Sequence, residues 1–182
     1  MSQNAPATPL APALSGERAD LLEMLARHRG FLRFTANGLT DEQAGLRTTA
    51  SELCIGGLIK HVTSVERNWV AFIVDGPSAM GDFDNMTEED FARRADEFRM
   101  LPGETLAAVL ENYAEVARRT DELVVSLPDL DASHPLPSAP WFAPGKEWSA
   151  RRALLHVIAE TSQHAGHADI IRESLDGAKT MG

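Results

Sequence analysis

Apolar residues recur at helical spacing in four long stretches, and no segment shows strong strand alternation. The first stretch, about residues 17–35, places Leu21, Leu22, Leu25, Leu32 and Phe34 on one face. Ser15 is its expected N-cap, and Asn37-Gly38 is a left-handed stop. The second runs from about Cys54 to Val74 and ends at Asp75-Gly76-Pro77. The third, about 104–127, carries Leu106, Val109, Leu110, Tyr113, Val116, Ala117, Leu123 and Val124, and Pro128 ends it. The fourth begins at an N-cap, Ser149, continues to about Leu175 and stops at Asp176-Gly177. It is roughly 39 Å long at 1.5 Å per residue, the height of a bundle. The expected fold is all-α, a four-helix bundle over residues 15–182 with a long connection between its second and third helices.

Shorter signals fill the connections. Thr40 to Gln43 is a capping box for one turn, and Thr87-Glu-Glu-Asp90 opens a short helix expected to reach about Arg99. Residues 46–53 read as a connector able to extend. Residues 128–147 contain Pro128, Pro135, Pro137, Pro140 and Pro144, too many for a helix. A loop of that length carrying His134, Trp141 and Phe142 suits a lid over a site.

Polar groups intrude on two apolar faces. On the fourth helix His156, Glu160, His164 and His167 span an arc of about 80° that runs into the face of Ala153, Val157, Ala168 and Ile171. On the second helix His61 lies within about 20° of Cys54 and Phe72, so it points toward the core. Buried polar groups are costly unless something satisfies them. Glu160 and His164, one turn apart, with His61 from the other helix, offer an N, O, N donor set with coordination positions to spare. Such donors suit Zn²⁺, Ni²⁺ or Fe²⁺ without separating them. A hydrogen-bonded core cluster is the competing reading. His167 is either an alternate ligand or a group that orients one. His156 reads as a boundary residue, His28 and His134 as exposed, and Cys54 as a small buried hydrophobe. Gly56-Gly57 and Gly166 would permit close approach of a helix or a ligand.

Composition narrows the function classes. A net charge of −10 argues against sequence-independent nucleic-acid binding and against adsorption to anionic membrane. No run of 18 apolar residues suggests a membrane span. A single cysteine excludes an intramolecular disulfide and suits a reducing cytoplasm. Residues 1–14 are rich in Ala and Pro, lack a basic start, and are expected to be a disordered leader.

The segments LIKHVTSVERNW and WFAPGKEWSARRALLHVIAETSQHAGHADIIRESLDG resemble the DinB/YfiT-like superfamily, and are most similar to a DinB-like branch common in actinobacteria. The resemblance covers about residues 15–178. It implies a metal-binding four-helix bundle, often dimeric, related to thiol-dependent S-transferases and to the mycothiol-dependent maleylpyruvate isomerase. The superfamily's metal pattern, a His on the second helix and His or Glu, three residues, then His on the fourth, falls on His61, Glu160 and His164. Its usual His-Arg-Gly-Gln continuation stands here as His164-Ala165-Gly166-His167.

The expected function is a metal-dependent transfer of a low-molecular-weight thiol, mycothiol by resemblance, to a small electrophile. Zinc or nickel is the expected metal. Trp69 and Trp141 are the expected pocket residues, with Arg67, Asn68 and Arg152 as further candidates. The alternatives are a metal- or small-molecule-binding stress protein without turnover, and a structural homodimer whose histidines fill the core.

Overall fold

The structure is a computed structural model describing Leu14 and residues 16–180. The expected cap Ser15 and residues 1–13 of the expected leader lie outside the described residues. Four long helices form the body: α1 (Gly16–Phe34), α3 (Ile55–Asp75), α5 (Leu106–Ser126) and α6 (Ala150–Asp176). Two short helices, α2 (Asp41–Ala44) and α4 (Glu88–Asp96), and a 3-10 turn (Pro77–Met80) occupy the connections. The all-α bundle expected from the periodicity is the fold. Among the described residues, no helix is long and apolar enough to cross a membrane.

Side-chain caps set several boundaries. Ser149, Thr40 and Thr87 each accept a hydrogen bond from the backbone N–H three residues on, and the two threonines complete capping boxes. Gly177 ends α6 at φ +80°, a conformation that suits glycine. Two boundaries differ from expectation. Thr105, rather than the region of Glu104, caps α5, because the Glu104 carboxylate accepts from Lys60 Nζ at 2.7 Å and Leu101 N at 2.8 Å. The short helix α4 stops at Asp96, and the chain turns there so that Phe98 and Met100 pack on α3.

The proline-rich segment also departs from a plain loop. Ser133–Pro135 (β1) and Glu147–Ser149 (β2) pair antiparallel, His134 opposite Trp148. Three-residue strands are too short to reveal alternation in a sequence. His134, expected to be exposed, is partly buried: its Nε2 lies 3.3 Å from the Ile73 carbonyl and its ring packs edge-on to Phe72. That contact ties the ribbon to the end of α3.

The long helices pack in the cyclic order α1, α6, α3, α5, so α1 and α3 occupy opposite corners. Two apolar clusters fill the interior. One is built around Leu32, Ile55, Leu58, Ile59, Tyr113 and Ala168, the other around Leu25, Phe72, Val124, Leu154 and Val157. Each fully buried large apolar side chain contributes about 1.5–3 kcal/mol. A polar group also lies in the interior. Arg29 of α1 grips Glu66 of α3 with two bonds, 2.5 and 3.2 Å, and reaches Asp121 at 2.8 Å, while Thr120 donates to Glu66 at 2.5 Å. Arg29 and Glu66 are 2% and 0% exposed.

Candidate metal centre

The packing of α3 against α6 brings His61 over the Glu160–His164 turn. One donor atom from each of these residues lies within 4.8 Å of the others. His164 Nε2 is 3.6 Å from Glu160 Oε2, and the His61 and His164 rings meet edge-on at 4.9 Å. Side-chain exposures of 15%, 27% and 12% for His61, Glu160 and His164 put the cluster at the bundle wall, not sealed in the core. The three residues singled out by periodicity are thus brought together.

Neighbouring groups hold two of these side chains from behind. His61 Nδ1 faces Glu97 Oε2 at 3.5 Å, and Phe98 stacks on the same ring at 4.1 Å. Ser64 Oγ donates to the other Glu97 oxygen at 2.7 Å. The His61–Glu97 approach is too long and oblique for a full hydrogen bond, so this buried Nδ1 has no hydrogen-bond partner. With Nδ1 turned to a carboxylate, Nε2 is the nitrogen free to ligate, the arrangement typical of metal-bound histidine. On the other side His167 Nδ1 lies 3.4 Å from His164 Nδ1. His167 therefore sits outside the three-donor cluster and meets the nitrogen of His164 that faces away from Glu160. His156 Nε2 stands 3.7 Å from Glu160 Oε1.

The electrostatics favour a charged carboxylate at the centre. Glu160 is held below the ordinary carboxylate range by its bond to His164, against the effect of burial and with help from the charges of His156, His164 and His61. Burial pushes the Glu97 carboxyl up, but the nearby His61 imidazole and the hydrogen bond from Ser64 outweigh it and leave the pKa lowered. Burial lowers the His156 pKa against the attraction of Glu160. An anionic Glu160 beside two imidazoles is a donor set chemically suited to a divalent transition ion.

Two cavities meet at this cluster. One, about 320 Å³, is lined by His61 and Glu160 together with Trp69, Phe83, Trp141 and Phe142. The other, about 520 Å³, shares His61, Asn68 and Arg94 with it and extends under the 80–97 segment past Asp82, Asn85 and Asp90. Both expected pocket residues, Trp69 and Trp141, line the first cavity. So does His156, expected at a boundary, which packs edge-on to Trp69 and Trp148. Of the further candidates, Asn68 lines both cavities. Arg152 lies over the Trp148 ring at 4.2 Å, and Arg67 donates to Asn112 at 3.0 Å.

Other expectations resolve differently. Cys54 is buried as expected and also caps α3, accepting from Gly57 N at 3.4 Å. The close approach at Gly56-Gly57 serves neither a helix nor a ligand. It admits the Phe98 backbone and the Met100 side chain. Gly166 faces open space. Glu97, Phe83 and Arg94 have no counterpart in the sequence reading. Only Phe83, an aromatic flanked by Asp82 and Asp84, carried a signal that could have marked it.

No curated protein matches this chain. A family model described as mycothiol-S-transferase matches residues 20–177, a span holding all four long helices but for the first residues of α1, and both sides of the metal-type cluster. The chain belongs to the mycothiol-S-transferase family, a DinB-like family.

Proposed function

We propose that the protein is a divalent-metal-dependent S-transferase that joins mycothiol, or a closely related low-molecular-weight thiol, to a small electrophile. The observation that carries this reading is the convergence of His61, Glu160 and His164 beside an aromatic cavity, which His61 and Glu160 help to line, in a chain of the mycothiol-S-transferase family. The His61 imidazole, with its Nδ1 turned to Glu97 and its Nε2 left to ligate, and the anionic Glu160 fit zinc or nickel. Bound by these three residues, the metal would supply a Lewis acid that lowers the pKa of a thiol into the neutral range.

The chain's own residues do the remaining work. Glu97 and Phe98 fix the His61 ring, and His167 fixes His164, so the donors keep their aim without rearrangement. Trp69, Trp141 and Phe142 line the cavity and give the electrophile an apolar wall. In the reaction the thiol loses its proton to solvent and its sulfur lone pair forms a bond to the electrophilic carbon. The leaving group departs with its bonding pair, or, in an addition, the displaced π pair takes up a proton. A reducing cytoplasm, where small thiols persist, suits this activity.

The test is thiol consumption by metal-loaded protein across a panel of thiols and electrophiles. Turnover above the uncatalysed rate, greatest with mycothiol and lost in His164→Ala, is the expected result. Metal-loaded protein that consumes no thiol faster than buffer overturns the proposal.

A further inference from the structure

All three tryptophans of the chain gather at one place. Trp69 and Trp141 line the smaller cavity, and Trp148 stacks on Trp69 with centroids 4.6 Å apart. Phe83 and Phe142 join them, so rings from α3, from the connection after it and from the loop before α6 face one space. Core packing does not require this: Trp141 is 58% exposed. Its ring meets Phe83 edge-on at 5.3 Å across the mouth, under the guanidinium of Arg94 at 6.0 Å. An exposed tryptophan held over a cavity by a second ring and a cation marks a surface built for contact with a partner molecule. The adjoining cavity is different, with Ser64, Asn68, Asp82, Asn85 and Asp90 offering hydrogen bonds.

We propose that the electrophile is a flat aromatic molecule seated among Trp69, Phe83, Trp141 and Phe142, and that Trp141 sets this preference. The inference rests on the transferase reading for the word electrophile, but the aromatic site itself does not. The hydrogen-bonding cavity is then left for the polar body of the thiol, and the two reactants meet beside His61. Flat rings gain most in a cavity with this many aromatic lining residues, because they can stack on those rings or pack against their edges. A compact aliphatic electrophile touches the same walls over a smaller area and gains less.

Tryptophan fluorescence reads the site directly, since two of the three tryptophans line it and the third stacks on Trp69. The probe is 2,4-dinitroaniline, a flat aromatic with no good leaving group, titrated into metal-free and metal-loaded protein. Iodoacetamide and 1-chloro-2,4-dinitrobenzene serve as aliphatic and aromatic electrophiles in parallel turnover assays. Saturable quenching by the probe is expected, with Kd raised about tenfold or more in Trp141→Ala. The aromatic electrophile should also lose more kcat/KM than iodoacetamide in that variant, while the KM for the thiol holds. Phe83→Ala, which leaves the Trp141 backbone alone, should weaken the probe in the same direction. Absence of saturable quenching, or a Trp141→Ala Kd equal to wild type, overturns the inference, as does a loss expressed only in the KM for the thiol. Probe binding without any turnover upholds the aromatic site and contradicts the transferase reading. Turnover of iodoacetamide without probe binding does the reverse.

Discussion

Glu97 Oε2 lies 3.5 Å from His61 Nδ1, and the residue after Glu97 stacks on the His61 ring. A carboxylate behind a ligating imidazole fixes its tautomer and raises its basicity. Glu97→Gln is therefore expected to weaken divalent-metal affinity by about 10–100-fold. Chelator competition against zinc measures this. An affinity equal to wild type would show that Glu97 plays no part in the centre.

The turn carrying Glu97 and Phe98 sits where it does because Gly57 has no side chain. A Cβ at Gly57 would lie 2.0 Å from the Phe98 carbonyl oxygen, which is backbone and cannot step aside. At Gly56 the nearest atoms belong to the flexible Met100 side chain. Gly57→Ala should therefore cost more stability than Gly56→Ala. Overpacking typically costs about 1–3 kcal/mol, and the Gly57 variant should fall at or above the upper end. Urea denaturation of both variants measures the difference, and the metal affinity of Gly57→Ala should fall as its turn is displaced.

Arg29 and Glu66 join opposite corners of the bundle through its interior. Removing one member leaves a buried charge without its partner, so Glu66→Ala is expected to destabilise by about 3–5 kcal/mol. Replacing both by leucine should recover most of that loss, because buried ion pairs contribute little beyond what apolar packing of similar volume provides. Equilibrium unfolding of the two single variants and the double variant tests this. A double variant as unstable as the sum of the singles would contradict it.

Acid should loosen the junction between α1 and the segment before β1. Arg151 binds both Glu17 and Asp131, and hydrogen bonds to its guanidinium hold the two carboxyls below their ordinary values of 4.5 and 3.8. A pKa depressed in the folded state gives stability that is present above the unfolded value and is lost as pH falls through the folded one. The loss should therefore develop below about pH 4.5 and be weak and salt-sensitive, because both carboxylates are exposed and the guanidinium is only half-buried. Tm measured from neutral pH into this range should fall less steeply in Arg151→Met than in wild type.

Local chemistry was readable in the chain; contacts between distant segments were not. Caps such as Ser149 to Arg152 N and Thr40 to Gln43 N act across three residues, so the helix starts could be read directly. The cluster at His61, Glu160 and His164 was legible because polar groups interrupted apolar periodicity on two helices. Glu97 was hidden: it follows a short, mostly charged helix that buries none of its residues, and only the tertiary turn at Gly57 carries it to His61. Arg29 and Glu66 carried the same unused signal: Arg29 lies four residues after Leu25 and three before Leu32, and Glu66 four after Val62 and three before Trp69, so both face inward. The ribbon at Ser133–Pro135 depends on pairing with a segment beyond three further prolines, a register that local propensity does not encode.

Elemental analysis of untagged protein, purified without added chelator, tests the central claim most directly. Stoichiometric zinc or nickel is expected in the wild type, with loss of that metal in His61→Ala and His164→Ala, and weaker but measurable binding in His167→Ala. Wild-type protein that carries no divalent metal and takes up none on titration would contradict it, as would a His164→Ala variant that keeps the wild-type metal content.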